Sequence, residues 1–163
     1  MNSNFVIVEL QQGTHEWLEW RHKGIGASDA STVMGENRFK SAAKLLQEKR
    51  QPAQGSFQNS AMALGTQLEP EARRRYIANT GRDVRPVCVQ STQLDWLRAS
   101  LDGLAPKHDA VVEIKCGASV YRSTSKSRSV PPITMGRHST SWLSQDSTRW
   151  TFGATGLTTP KCC

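Results

Sequence analysis

The pattern of hydrophobic and polar positions changes from helical to strand spacing at about residue 81. Apolar residues three and four apart predict helices, and short apolar runs bounded by turn residues predict strands. The predicted helices cover residues 14–23, 28–35, 41–50 and 59–80. The predicted strands cover residues 84–90, 96–101 and 110–115, with Asp102-Gly103 as the turn between the last two. Helices followed by a small antiparallel hairpin predict an α/β (α+β) fold.

The ends and buried faces of these helices follow from particular residues. Thr14 is a suitable N-cap for the first helix, and Gly81 is a suitable C-cap for the last. The residues predicted to supply apolar surface are Trp17, Leu18 and Trp20 in the first helix, Ala42, Leu45 and Leu46 in the third, and Ala61, Leu64, Leu68, Ala72, Tyr76 and Ile77 in the fourth.

Composition divides the chain near residue 117. Residues 117–163 contain 17 Ser or Thr among 47 residues, with little hydrophobic periodicity, which is typical of disordered or non-native sequence. This segment also holds six basic residues and one acid, whereas residues 1–116 hold 15 basic and 13 acidic residues. Most of the net charge of +7 therefore belongs to the tail, and charge alone is poor evidence for DNA binding.

Several classes of protein are disfavoured. No apolar run approaches the roughly 20 residues that span a bilayer, and the first ten residues lack the features of a signal peptide. The four cysteines (Cys88, Cys116, Cys162, Cys163) show no metal-binding spacing, and a disulfide framework is not expected. We expect a cytoplasmic protein.

The residues with the clearest chemical pattern are Asp102 and, eleven to thirteen positions later, Glu113-Ile114-Lys115. Side chains alternate along a strand, so Glu113 and Lys115 share one face while Ile114 packs inward. A strand ending in Asp102 brings a second carboxylate beside Glu113. Two carboxylates and the backbone carbonyl of Ile114 form the hard oxygen site that Mg²⁺ prefers, and Lys115 would position or activate the attacking water.

Glu69 supplies a third carboxylate from the longest predicted helix, where it would hold a second metal ion or orient a metal-bound water. Each residue also has a structural explanation. Asp-Gly is a common turn, Glu-x-Lys is common on the polar face of a strand, and Glu69 alone is a solvated helix residue. The joint arrangement is much rarer, and it favours a catalytic site.

Arg21 and Ser28 form a candidate phosphate-binding pair. Ser28 lies at the predicted N-terminus of a helix, where free N–H groups and the helix dipole attract anions. Arg21 would add a bidentate contact to a phosphate. The alternative is that Ser28 is only an N-cap and Arg21 only a surface residue.

Five short segments carry a more specific signal. They read QGTHEWLEWR at 12–21, GASD at 26–29, GTQLEPEAR at 65–73, ASLDG at 99–103 and EIKC at 113–116. Their order and spacing, from about residue 11 to 117, resemble the YqaJ-type viral recombinase family. These proteins are relatives of phage lambda exonuclease and have the PD-(D/E)XK nuclease fold, a small mixed sheet flanked by helices.

The resemblance implies a Mg²⁺-dependent exonuclease, with Mn²⁺ as a substitute metal, that resects linear double-stranded DNA from its 5′ end in phage-type recombination. It implies that Asp102 and Glu113 bind the metal, that Glu69 completes the site and that Lys115 assists the water. It also implies that Arg21, Ser28 and Ser100 contact the terminal phosphate. The resemblance also implies a ring of several copies around DNA and a single-strand annealing protein as partner. For a phage-type family, the expected setting is a bacterial or phage-infected cell.

The residues after 117 depart from the family pattern, in which a helix carries a Gln-x-Gln-(His/Tyr) string. A shifted reading frame would use the third base of one codon and the first two bases of the next. Across residues 132–142 the genetic code permits this frame to read Asp-Tyr-Tyr-Gly-Gln-Ala-Gln-His-Gln-Leu. It also permits Met-Asp-Phe-Trp-Cys-Tyr across residues 149–155. Degenerate codons fit many strings, but both of these are expected of the family. We therefore predict a frameshift between Lys115 and Pro132.

The predicted organisation is thus a partial nuclease domain at 1–117, with its C-terminal part incomplete, and a poorly ordered, out-of-frame tail at 118–163. Two alternatives to an active exonuclease remain open. One is a non-catalytic remnant that at most binds DNA or metal. The other is a restriction-type or RecB-like endonuclease of the same fold.

Overall fold

A computed structural model of the chain describes residues 4–53, 55, 60–116 and 151–153. Its elements are β1 (Phe5–Val8), α1 (His15–His22), β2 (Ile25–Gly26), a 3-10 turn (Ala27–Asp29), α2 (Ala30–Val33), α3 (Ala42–Arg50), α4 (Ser60–Thr80), β3 (Arg85–Ser91), β4 (Leu97–Leu104), β5 (Val111–Ile114) and β6 (Thr151–Gly153). Among these described elements, no helix has the length and apolar character needed to cross a membrane.

The described residues fall into two compact units. The first contains residues 4–53, 55 and 86–101, and the second contains residues 60–85, 102–116 and 151–153. The predicted tail and the predicted frameshift lie outside the described residues, apart from the three residues of β6. Both therefore stay predictions.

The first unit is built on a small mixed sheet. Strand β1 pairs antiparallel with β3, from Phe5 opposite Ser91 to Val8 opposite Cys88, and β2 pairs in parallel with the start of β4. Neither β1 nor β2 was predicted from the sequence. The side-chain amide of Gln12 donates hydrogen bonds to the carbonyls of Val87 and Leu101, 3.3 and 3.0 Å away, and so connects the loop before α1 to both strands.

Two helices of the first unit begin at the expected residues. The Thr14 hydroxyl accepts a hydrogen bond from the Trp17 N–H and caps α1, and Ser41 caps α3 in the same way. Within α3 only Leu45 is buried; Leu46 is 54% exposed, so the prediction that both face the core is wrong. The next residue on a helix lies about 100° further round, and this nine-residue helix buries only a narrow stripe.

The second unit packs α4 against strands β4 and β5. Ala72 and Tyr76 of α4 lie in a buried cluster with Val84, Val112 and Ile114. The predicted face is correct in this half of the helix but not in the first half, where Leu64 is 52% exposed.

The C-terminal end of α4 matches the expected C-cap. Gly81 has a φ of +67°, and its N–H donates to the Ile77 carbonyl at 2.8 Å. A residue without a Cβ adopts this left-handed conformation at little cost, which explains why the helix ends here.

The hairpin of β4 and β5 corrects one prediction. Asp102-Gly103 does not form the turn, because β4 continues to Leu104 and pairs antiparallel with β5, Gly103 opposite Val112. The turn lies between Ala105 and Ala110, which are joined by a hydrogen bond of 3.0 Å from the Ala105 N–H to the Ala110 carbonyl.

Close packing gives Gly103 a different reason to be glycine. A Cβ there would lie 3.0 Å from a Val84 methyl carbon and 3.3 Å from the Val112 Cβ. A side chain at this position would require Val84 and Val112 to give way by a few tenths of an ångström.

Candidate active site

Three carboxylates predicted to act together lie in the second unit on three different elements. Glu69 is on α4, Asp102 on β4 and Glu113 on β5, and all three side chains are partly buried. Glu69 and Glu113 are both close enough to Asp102 for their negative charge to disfavour its ionisation. The structure therefore brings the predicted acidic residues together.

Asp102 is the most perturbed of these groups. Burial of its carboxyl group, followed by the negative charge of Glu113, raises its pKa to about 7 from the usual 3.8, and Glu69 adds to the increase. Lys115 and a hydrogen bond from the Ile114 N–H, 2.7 Å from Asp102 Oδ2, act in the opposite direction. That hydrogen bond also fixes the orientation of the carboxylate, because it ties Asp102 to the neighbouring strand.

Lys115 lies beside the oxygens that the sequence predicts as metal ligands. Its Nζ donates to the carboxylate of Glu113 and to the backbone carbonyl of Ile114, the latter at 3.3 Å. Both charged side chains are about a quarter exposed, at 25% for Lys115 and 24% for Glu113. A cation of the chain itself thus contacts the hard oxygens that Mg²⁺ would use.

Arg73 is a residue that sequence reasoning missed. Its Nη2 donates to the carboxylate of Glu69, one helical turn earlier, and its Nε donates to the backbone carbonyl of Asp102 at 2.7 Å. The i, i+4 spacing of Glu69 and Arg73 on the predicted helix was a signal that could have identified the pair.

The chemistry of these residues fits a divalent cation. Carboxylates and a backbone carbonyl are the ligands that Mg²⁺ prefers, and a cation would offset the burial and the neighbouring negative charges that raise the pKa of Asp102. In the part of the chain that the structure describes, no three acidic, histidine or cysteine side chains already converge as a complete metal site. Binding would therefore require Lys115 and the carboxylates to move.

A second cluster lies in the first unit and contains the predicted phosphate-binding residues. The guanidinium of Arg21 donates to the Ser28 hydroxyl and stacks on the Trp17 ring, 5.0 Å from its centroid. The Trp17 indole N–H donates to the Ser100 hydroxyl at 2.8 Å. Trp17 therefore links all three predicted residues, although the sequence indicated it only as apolar helix surface.

The helix-dipole part of the phosphate prediction is not supported by the geometry. Ser28 lies in the 3-10 turn, and the α-helix that follows has only four residues, so its dipole is small. The Asp29 carboxylate accepts a hydrogen bond from the Gly26 N–H at 3.1 Å and pairs with Lys49 at 3.1 Å. An anion at this cluster would be bound by the side chains of Arg21, Ser28 and Ser100 rather than by a helix terminus.

Comparison with known proteins agrees with this architecture. A family described as the YqaJ-like viral recombinase domain matches residues 16–134. An uncharacterized protein YqaJ from Bacillus subtilis (strain 168) is 30% identical over 103 residues, which are 61% of this chain and 32% of that protein.

The similar solved structures are of an alkaline exonuclease, LHK-Exo from Laribacter hongkongensis. One is 31% identical with a TM-score of 0.63 and covers 76% of this chain and 64% of that chain. The other, a complex with dAMP, is 30% identical with a TM-score of 0.64 and covers 78% and 66%. The chain thus spans less than two thirds of the length of each of these relatives.

These similarities confirm the predicted α/β nuclease fold and the predicted family. The family match extends over well over half of the 163 residues and includes every residue of both clusters. The chain belongs to the YqaJ-like viral recombinase domain family.

Proposed function

We propose that the chain is a Mg²⁺-dependent deoxyribonuclease that degrades linear double-stranded DNA from its 5′ ends. The observation that carries this proposal is the grouping of Glu69 and Glu113 around Asp102, with the Lys115 ammonium on the Glu113 carboxylate. A carboxyl group whose pKa is raised by burial and by neighbouring carboxylates, beside a lysine, is a group that metal-assisted phosphodiester hydrolysis needs. The fold shared with an alkaline exonuclease supports the same reaction class.

Within this proposal, Asp102, Glu113 and the Ile114 carbonyl hold Mg²⁺ or Mn²⁺, and Glu69 completes the site. When bound there, the ion would supply Lewis acidity toward the attacking water and would offset negative charge on the scissile phosphate. Lys115 leaves Glu113 and the Ile114 carbonyl, and its ammonium then donates a hydrogen bond that orients the attacking water.

Arg21, Ser28 and Ser100 act as the phosphate-recognition residues in this proposal. A guanidinium and two hydroxyls provide charge-assisted and neutral donors for a terminal 5′-phosphate. Trp17 limits the motion of Arg21 and Ser100, so the donors are positioned before DNA binds. A single-strand annealing protein and a ring of several copies are proposed partners of the complete protein.

The test of this function compares three DNA substrates in Mg²⁺: duplex labelled at its 5′ ends, duplex labelled at its 3′ ends, and a covalently closed circle. We expect early release of the 5′ label as mononucleotide, slower loss of the 3′ label and an intact circle. Nicking of the circle would instead identify an endonuclease of the same fold.

A non-catalytic remnant is the second candidate, and one observation favours it. Glu69 and Glu113 are each paired with a cation of the chain, Arg73 and Lys115, so two of the three carboxylates already have partners. A folded protein that releases neither label at any Mg²⁺ or Mn²⁺ concentration would establish this candidate.

A further inference from the structure

Arg73 makes two contacts that no other described residue of α4 duplicates. Its Nη2 donates to the Glu69 carboxylate on its own helix, and its Nε donates to the main-chain carbonyl of Asp102 on β4. The side chain is only 12% exposed. The planar guanidinium group of Arg73 therefore connects α4, which carries Glu69, to β4, which carries Asp102.

We propose that Arg73 is the positioning residue of the acidic cluster. It holds the Glu69 carboxylate at a fixed distance from Asp102, and so it sets the separation of two oxygen ligands before a divalent cation binds. This role rests on the proposed function, and it assigns Arg73 no contact with DNA or with the reacting atoms.

The shape of the Arg73 guanidinium group suits this positioning role. Its Nε–H and Nη2–H donors lie in one rigid plane, so the carbonyl of Asp102 and the carboxylate of Glu69 are held in a fixed relation. A lysine retains the charge but has a single rotatable ammonium, which cannot impose that relation. Arg73→Lys thus keeps the positive charge of the side chain and removes its planar donor geometry.

The packing of α4 around Arg73 holds its guanidinium group in place. Ala72, next to Arg73, is 1% exposed, and Tyr76, one turn later, is 4% exposed. These residues anchor α4 in the buried cluster of the second unit, so the backbone at Arg73 has little freedom to move. Groups that orient metal ligands from outside the coordination sphere typically contribute about 10- to 100-fold in metal affinity or activity.

Helix α4 also contains a matched control. Arg75 pairs with Glu71 at the same i, i+4 spacing, through its Nε at 2.9 Å, but its side chain is 46% exposed. Arg75→Lys therefore makes the same chemical change in a surface pair of the same helix. An exposed pair of this kind contributes little to stability and has no acidic cluster to organise.

The experiment measures Mn²⁺ binding by calorimetry, without DNA, for the wild-type chain, Arg73→Lys, Arg75→Lys, Glu69→Gln and the double variant Arg73→Lys/Glu69→Gln. We expect Arg73→Lys to raise the Kd for Mn²⁺ by about 10-fold and Arg75→Lys to leave it within about 2-fold. We also expect Arg73→Lys to have little further effect once Glu69 is Gln, because its action passes through that carboxylate.

Other outcomes separate this proposal from the proposed function. Equal Mn²⁺ affinity in Arg73→Lys and the wild-type chain would overturn the positioning role while leaving a metal-dependent nuclease intact. An Arg73→Lys chain that does not fold, judged by circular dichroism and thermal unfolding, would show a structural residue and would also overturn it. Absence of Mn²⁺ binding by the folded wild-type chain would contradict the proposed function itself.

Discussion

At the residue scale, Asp102 has a carboxyl group in surroundings that disfavour its charge. Its pKa of about 7, caused first by burial and then by Glu113, means that the folded chain binds a proton more tightly there than the unfolded chain does. Without metal, stability from this group is fully present below pH of about 4 and is lost as the pH rises through about 7. The ionised Asp102 carboxylate thus lowers the stability of the metal-free fold.

Asp102→Asn removes this charge while keeping an oxygen that accepts the Ile114 N–H. In a chelating buffer we expect the variant to be more stable than the wild type at pH 8, by a free energy of unfolding on the order of 4 kcal/mol. At pH 5 the gain should be much smaller, because Asp102 is then mostly protonated. Urea unfolding at the two pH values measures both differences.

A gain of equal size at pH 5 and pH 8 would show that the raised pKa of Asp102 is not its cause. Addition of Mg²⁺ should stabilise the wild-type chain more than Asp102→Asn, since the variant lacks one of the proposed ligands.

The acidic residues could be predicted because their spacing reflects strand alternation. Glu113 and Lys115 share a face and Ile114 is buried, as period-two spacing requires. Arg73 and Trp17 were missed because their roles depend on hydrogen bonds to residues 29 and 83 positions away in the sequence. A local pattern cannot indicate such a partner.

At the element scale, strand β4 shows why the turn predicted at Asp102-Gly103 was wrong. Asp-Gly is a common turn pair, but here it continues a strand, and the turn follows at Ala105–Ala110. Gly103 packs closely against Val84 and Val112 in the strand, and such tertiary context can override a local preference. Strands β1 and β2 were missed for a related reason, because they have four and two residues and depend on pairing with β3 and β4.

Gly103→Ala tests the packing explanation. The added Cβ would lie 3.0 Å from a Val84 methyl carbon, so either Val84 or strand β4 must shift. We expect a loss of about 1–3 kcal/mol in the free energy of unfolding, as for other overpacked core positions. Gly55→Ala is the control, because a Cβ at Gly55 would have no atom of the described residues within 4 Å. A similar loss in both variants would contradict the proposed role of close packing at Gly103.

At the scale of the whole molecule, the chain carries the family's N-terminal motifs in order but spans 32% of its curated relative and 64–66% of the solved exonuclease. The α/β nuclease fold could be predicted because five separate motifs had to occur in the correct order. The residues after 117 could not be predicted in the same way, since codon degeneracy permits the shifted reading frame without requiring it.

The coding DNA decides the frameshift prediction directly. Translation in the frame that begins at the third base of each codon should give the Gln-x-Gln-His string across residues 132–142 and the Met-Asp-Phe-Trp string across residues 149–155. Stop codons in that frame, or codons that encode unrelated residues, would refute the frameshift. A confirmed shift predicts that the frame-restored chain has the higher thermal stability and nuclease activity.

Digestion of 5′-phosphorylated linear duplex DNA by the purified chain in Mg²⁺, beside Asp102→Ala, tests most directly whether the acidic cluster is an active site. We predict Mg²⁺-dependent shortening by the wild-type chain and a loss of about 100-fold or more in the variant, since a proposed metal ligand is removed and a bound metal contributes several kcal/mol to transition-state stabilisation. The circular dichroism of both proteins serves as the folding control. Equal rates in the two folded proteins, or no shortening by the folded wild type, would contradict an active site built on Glu69, Asp102, Glu113 and Lys115.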